Sequence, residues 1–380
     1  MTGGALAVLI TGQISLSEAI AAINFEVMIF LFGMFVIGVA LEESGYLYTL
    51  GNRWFCRARS IDQLVLILIF SFGILSAVLM NDTLAIIGTP LVLFYAQKYH
   101  ISSRMLLLAL CCAVTTGSVM SPMGNPQNFL IASYSGMENP FLSFAVYLGI
   151  PVMISLGLTF LLLRLFYRQE FGRSAPEIEG ECVQDPQLSR LVQASLALLL
   201  MLIAARTLAP LVPVFQEISL SLIAVGAAAP LLLFSQRRMQ LFRSVDWATL
   251  LFFIAMFILM GSVWQSGVFQ SLLHEGVPDS IPGILLVSVV VSQFISNVPF
   301  VALFQPMLVY QGIPLTHVLA LAAGSTLAGN LTILGAASNV IVIQQAEKRG
   351  ETLSFLEFLR FGIPLTLIQV GIFSLYLSAI

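Results

Sequence analysis

Apolar runs long enough to cross a bilayer recur along the whole of this 380-residue sequence, and no separate soluble domain is left over between them. That pattern leaves the chain little choice of secondary structure. Inside hydrocarbon no water is at hand for an exposed backbone N–H or C=O, so a spanning chain must form helices or a closed barrel. Runs of around 20 residues are of helix length. Composition agrees, with 58% hydrophobic and 9% charged residues and a mean hydropathy of +0.98, against about 25% charged in a soluble domain. The expected fold class is an all-α polytopic membrane protein.

A net charge of -3 and the lack of any long basic run leave no footprint for nucleic acid. Cys56, Cys111, Cys112 and Cys182 show neither metal-ligand spacing nor an extracellular framework and read as free thiols. The opening MTGGALAVLI has no basic n-region or cleavage site, so it is not a signal peptide. It is also too short to span, and the first helix reads as shortened.

Hydropathy and helix breakers together place apolar segments near 1–11, 25–43, 63–97, 105–135, 141–166, 191–210, 218–235, 247–264, 282–310, 316–345 and 356–380. Segments 63–97 and 282–310 each have two apolar arms around a polar centre, NDT at 81–83 and SNVP at 296–299, and are expected to be re-entrant hairpins with mid-membrane tips. Segments 105–135 and 316–345 are interrupted by GSVMSPMGNPQN (117–128) and AGNLTILGAASN (328–339), and each reads as one crossing with an unwound middle. With hairpins that return to their own side, the loops at 44–62, 98–104, 164–190, 236–246 and 346–360 share one face and hold every Lys and Arg except Arg206. The positive-inside rule makes that face cytoplasmic. The location expected is a bacterial-type inner membrane, with the charged stretch 167–190 as a cytoplasmic linker.

The chain also repeats itself. Gly4 pairs with Gly226, Phe25 with Trp247, Asn81 with Asn297, Pro90 with Pro306, Thr115 with Thr326, Gly124 with Gly335, Asn128 with Asn339 and Pro151 with Pro364, in unbroken order. Between equivalent points the chain crosses an odd number of times, by the first span, 25–43, 105–135, 141–166 and 191–210, so the halves are inverted. The organisation expected is a first repeat at 1–166, the linker 167–190, a connecting transmembrane helix at 191–210 and a second repeat at 211–380. Inverted repeats with paired broken helices belong to secondary transporters, whose sites lie at mid-membrane.

At those breaks Asn81, Thr83, Ser118, Ser121 and Asn125 in one half, and Ser296, Asn297, Thr332, Ser338 and Asn339 in the other, offer neutral oxygens suited to a hard monovalent cation. The alternative for each is an ordinary interhelical hydrogen bond. The helix arms leaving the tips point positive N-termini inward, which favours an anion beside the cation. Asp82 has Val298 as its twin, so its charge belongs to one half only. An intramembrane carboxylate is a functional candidate by default, here as a cation or proton site, against a role as a cap for the second hairpin arm. No Lys or Arg lies in the core of any span, which tilts the substrate away from tricarboxylates. Cys111 and Cys112 precede the first break and either meet a thiophilic solute or simply pack. Glu42 and Glu43 read as interfacial charges facing Arg53, Arg57 and Arg59, and His100, His274 and His317 have no partner spacing.

NDT followed by TP at 89–90, GNPQN at 124–128, SNVP at 296–299 and GNLTILGAASN at 329–339 resemble the ion transporter superfamily. The likeness is to its arsenite permease and sodium/proton antiporter (ArsB/NhaD) branch, with divalent anion/sodium symporters and citrate permeases as more distant relatives. The resemblance implies an elevator mechanism, with a mobile transport domain of hairpins and broken helices beside a scaffold that dimerises. It also implies one cation site at Asn81, Thr83 and the 121–125 loop, with an inverted mate at Ser296, Asn297 and the 332–338 loop. Sodium would sit at Asn81, Asp82 and Asn297, and substrate among Asn81, Gly124, Asn125, Asn128, Asn297, Gly335 and Asn339. The symporters carry Ser-Asn-Thr at both tips, whereas this chain has Met80-Asn81-Asp82 and Ser296-Asn297-Val298-Pro299.

The function expected is therefore secondary transport of a small anion or oxyanion, arsenite or a small carboxylate, driven by sodium or protons with no other cofactor. The alternative is a sodium/proton antiporter working through Asp82. A channel, or a membrane enzyme on the same scaffold, stands further off, because the sequence holds no catalytic cluster.

Overall fold

A computed structural model describes residues 1–55, 57–174, 185–272, 278–310, 312 and 314–380. They are helical throughout, and the isolated extended pairing among them is one antiparallel bridge between Ser60 and Ser174. The helices of the first half are α1 (Thr2–Ile10), α2 (Leu16–Ala22), α3 (Phe25–Ser44), α4 (Tyr46–Phe55), α5 (Ile61–Leu79), α6 (Asn81–Tyr99), α7 (Ser103–Ser118), α8 (Pro126–Tyr134) and α9 (Pro140–Phe166). After α10 (Pro186–Thr207) come α11 (Leu220–Phe234), α12 (Arg238–Ser244), α13 (Trp247–Gln265), α14 (Val268–Leu272), α15 (Ile281–Ile295), α16 (Asn297–Tyr310), α17 (Leu315–Leu331), α18 (Ala337–Glu347) and α19 (Phe355–Ala379). Among the described residues six of these, α3, α5, α9, α10, α13 and α19, are long and apolar enough to cross a membrane, and the chain is an integral membrane protein.

Several helices begin with a short polar side chain that accepts from the first turn. Asn24 caps α3, Ser60 caps α5, Ser102 caps α7, Asn139 caps α9, Asp185 caps α10, Asp246 caps α13, and Ser354 with Glu357 forms a capping box on α19. Helices α6 and α18 open in the middle of the bundle and have no side-chain cap. In α6 the first two N–H groups go instead to the Gly124 carbonyl at 3.0 Å and the Asn81 Oδ1 at 2.9 Å.

The two halves repeat in packing as well as in sequence. Helix α5 packs on α7 and α9, α7 on α9, and α3 on α6. In the second half α15 packs on α17 and α19, α17 on α19, and α13 on α16. The halves interlock by exchange, with α6 against α18, α16 against α8, α3 against α11 and α13 against α1. The α5–α7 contact is close enough that a Cβ on Gly117 would run into the Gly73 carbonyl. The core is apolar and continuous, with Phe30 stacked on Phe129 at 4.2 Å between ring centroids.

Two expectations from the sequence shift. The 44–62 and 236–246 loops contain α4 and α12, because Phe55 packs edge-on to Tyr95 at 4.8 Å and Phe242 against Trp247 at 4.9 Å. Tertiary anchors of this kind override weak local propensity. The connecting helix begins at Pro186 rather than at 191, since Asp185 accepts from Gln187 and Leu188 and proline is well placed at the first helical position. Glu43 accepts from Ser244 at 3.4 Å. Cys56, Cys182, His274 and residues 175–184 of the linker lie outside the described residues. Cys111 and Cys112 are buried free thiols, and His317 bonds the Asp279 carbonyl at 2.9 Å.

Candidate functional site

Each hairpin turns on one residue. Met80 between α5 and α6 has φ 61 and ψ 142, and Ser296 between α15 and α16 has φ 67 and ψ 161. Positive φ is costly for a residue with a Cβ, and a non-glycine held there is backbone strain of the sort that gathers at functional sites. Both halves spend it at the same repeat position. The strain lets an apolar arm stop at mid-bundle and a new helix start at once.

Residues beginning four helices line a single cavity of about 250 Å³. Asn81 and Asp82 come from α6, Pro126 and Gln127 from α8, Asn297, Val298 and Pro299 from α16, and Ala337 from α18, joined by Ser296 and Ala336 just before their helices. Four positive helix ends thus meet at one small volume, which is anion-binding geometry. Thr249, Phe252 and Phe253 of α13 and Ile341 of α18 complete the wall. Among the described lining residues there is no Lys, Arg or His.

Asp82 supplies the one ionisable group of that lining. It is buried; its N–H donates to Asn81 Oδ1 at 2.9 Å, and its carboxylate has neither a hydrogen bond nor an ion pair among the described residues. Asp246, at the start of α13, is engaged with the Thr249 N–H at 2.9 Å and hydroxyl at 2.6 Å. Across the cavity the Asn297 Oδ1 is buried without a partner. An unpaired carboxylate and an orphaned amide oxygen are ligands a cation would satisfy, and burying either alone is costly.

The remaining residues singled out from sequence lie behind this lining. Asn125 caps α8 through Oδ1 and donates to Ser118 Oγ at 3.0 Å and Thr326 Oγ1 at 3.2 Å. The Asn128 amide donates to the carbonyls of Ser118, Val119 and Ser121 at 3.0, 3.3 and 3.0 Å. The Asn339 amide donates to Gly329 at 2.6 Å and Thr332 at 3.4 Å, the repeat equivalents of Ser118 and Ser121. Both asparagines are fully buried and act as staples on the unwound segments. Gly124 and Gly335 are equivalent again, since a Cβ on the first would meet the Ser118 carbonyl and on the second the Ala328 carbonyl. Ser121 Oγ accepts from Met123, and Thr332 donates to Gln293 Oε1 at 2.7 Å. Thr83 is buried against Gly38 of α3, and the buried Ser338 Oγ has no partner.

Sequence reasoning brought Asn81, Asp82, Ser296 and Asn297 to the cavity and missed Gln127, Thr249, Phe252 and Phe253. Gln127 sits inside the GNPQN stretch and was within reach. The α13 residues carry no local signal, because their span is uninterrupted.

Residues 1–314 match the citrate transporter family, CitMHS. An uncharacterized transporter of Mycobacterium tuberculosis is 31% identical over 381 aligned positions, covering 93% of this chain and 86% of that protein. The inner membrane protein YbiR of Escherichia coli is 32% identical, covering 73% and 70%. The crystal structure of the YdaH transporter from Alcanivorax borkumensis superposes with a TM-score of 0.64 at 17% identity, covering 95% of this chain and 86% of that one, which establishes the shared fold. The chain belongs to the citrate transporter family, within the ion transporter superfamily, and is a membrane transporter.

Proposed function

We propose that this transporter moves a small anion or neutral oxyacid, a small carboxylate or arsenite, across a bacterial-type inner membrane by alternating access coupled to sodium or protons. One observation carries the reading. Four helix N-termini and one unpaired carboxylate share a cavity of about 250 Å³ that contains no basic side chain among its described residues. The helix ends favour an anion, Asp82 and the Asn297 oxygen favour a cation, and each bound charge offsets the other. A trianion would need neutralising by two or three companions in that volume, so the argument favours a smaller charge than citrate carries. Asn81, Asp82, Ser296 and Asn297 are the proposed contacts, with Ser121, Asn125, Asn128, Thr332, Ser338 and Asn339 shaping the loops behind them.

The cavity lies beside the first turns of α13, which follows the basic 236–246 loop, so in this conformation it faces the cytoplasm if the positive-inside rule sets the topology. The moving body in this proposal comprises α5–α9 and α15–α19, carried against α1, α3, α10, α11 and α13, the last group also offering the dimer surface. A sodium/proton antiporter is the second reading, supported by the isolation of Asp82.

The deciding experiment is thermal stability of purified protein in sodium and in potassium, with arsenite, small mono- and dicarboxylates and citrate, for wild type and Asp82→Asn. A ligand that binds the folded state raises Tm by mass action. Sodium plus one solute stabilising the wild type but not the variant supports symport. Identical responses in the two proteins sink the role of Asp82. Cation-driven proton movement in vesicles without any solute selects the antiporter.

A further inference from the structure

A second and larger cavity, about 500 Å³, lies farther along α13 and shares no residue with the first. Phe257, Met260, Gly261 and Trp264 of α13 form one wall, and Leu130 and Tyr134 of α8 with Ala302, Gln305, Pro306 and Val309 of α16 form the other. Its size and apolar lining are those of a small-molecule site, which needs in addition a few placed polar groups. Three are present. Gln305 lines the cavity, is 2% exposed and donates its Nε2 to the Ile131 carbonyl at 3.0 Å and Ser135 Oγ at 3.4 Å, which leaves Oε1 as an acceptor with no hydrogen bond among the described residues. Tyr134 Oη accepts from Asn24 at 2.9 Å, which leaves its own proton to donate. The Trp264 indole N–H has no acceptor among the described residues.

The cavity is not a by-product of the repeat. At the mirror position Gly38 stands where Met260 does, and the Thr83 side chain closes against it. Thr89 stands where Gln305 does and returns its hydroxyl to the Ala85 carbonyl at 2.6 Å. One half is filled and the other half is hollow, with the buried Gln305 in the lining of the hollow.

From this we infer that the cavity between α13 and the α8–α16 pair binds a neutral amphiphile, an apolar ring or branched chain carrying one hydroxyl or carbonyl group. The lining has no charge to hold an ion, and the Gln305 oxygen with the Tyr134 and Trp264 donors fits a hydroxyl that both gives and accepts. Such a group arrives either on a soluble solute or at the ester level of a membrane lipid. In both cases the occupant bridges α13 to the two helices whose first residues line the central cavity, and so resists their movement along α13.

The test uses Trp264 as reporter. In full-length protein carrying Trp54→Phe and Trp247→Phe, 4-bromobenzyl alcohol should quench Trp264 fluorescence saturably, and benzyl alcohol should relieve the quenching. Gln305→Leu should raise the half-saturation concentration about tenfold, the worth of one hydrogen bond lost from a buried acceptor. Ala302→Phe, which fills the cavity from the other wall, should abolish saturation while the protein keeps its monodispersity and Tm. The same protein in bilayer discs of phosphatidylcholine brominated on its acyl chains separates the sources. Quenching there that unbrominated benzyl alcohol relieves names a lipid, and its absence alongside saturable alcohol binding names a solute. Quenching that rises linearly with alcohol and is equal in Ala302→Phe and Gln305→Leu overturns the proposal.

Discussion

The backbone N–H of Asn81 donates to the carbonyl oxygen of Gly124 at 3.0 Å. This one bond ties the tip of the first hairpin to the unwound middle of the first broken helix. Asn81 is the first residue of α6, and Gly124 stands two residues before α8, so the bond fixes the distance between two of the four helix ends that surround the central cavity. Anything that disturbs the Gly124 loop is therefore expected to reach the site.

Gly124→Ala and Gly335→Ala should each be poorly tolerated, because the new methyl lands on the Ser118 or Ala328 carbonyl, backbone that cannot step aside. Overpacking of this sort costs about 1–3 kcal/mol or more. Gly149→Ala, where a Cβ meets nothing within 4 Å, should be neutral. Yield of monodisperse protein and Tm across the three variants check this, and a Gly124→Ala protein as stable as Gly149→Ala would contradict it.

Asn128→Ala should destabilise more than Asn339→Ala. The first removes the donor to three carbonyls and the second the donor to two. Each buried acceptor left unsatisfied costs about 1–3 kcal/mol. Thermal unfolding in detergent gives the ranking, with the reverse order speaking against the staple role.

Asp82→Asn should fold at least as well as wild type in potassium without solute. No hydrogen bond or ion pair among the described residues is broken, and a buried charge worth about 2.5–3.5 kcal/mol on insertion scales is removed. A Tm well below wild type under those conditions would show instead that Asp82 is a structural cap.

Glu18 offers a pH test away from the site. Its carboxylate accepts from the Ser15 hydroxyl at 2.5 Å and N–H at 2.9 Å, and these bonds hold its pKa below the usual carboxylate value. A depressed folded pKa gives stability that is present above the unfolded value and lost as pH falls through the folded one. The protection of the α2 amides, with the intrinsic pH dependence of exchange divided out, should therefore fall on acidification through that range, and Ser15→Ala should remove most of that fall.

How far the sequence reached can be followed residue by residue. The tips at 81–83 and 296–299 and the breaks at 117–128 and 328–339 stand out because polar groups, glycine and proline are expensive inside an apolar span and so conspicuous there. The division of labour among the asparagines was not legible. Asn81 and Asn297 line the cavity, while Asn128 and Asn339 hold loops together, yet all four are asparagines at symmetric breaks. Identity and spacing are the same for a ligand and for a staple, and only the direction of the side chain separates them.

By itself the sequence determined the helical class, the order of spans and the two breaks in each half, because each follows from local rules of backbone satisfaction in lipid. Only the tertiary structure decided that α13 walls the central cavity through Thr249, Phe252 and Phe253, and that a second cavity opens around Gln305. The physical reason is that an apolar helix is equally content against lipid or against protein. Hydropathy places it in the membrane, and long-range packing chooses the face that meets the site.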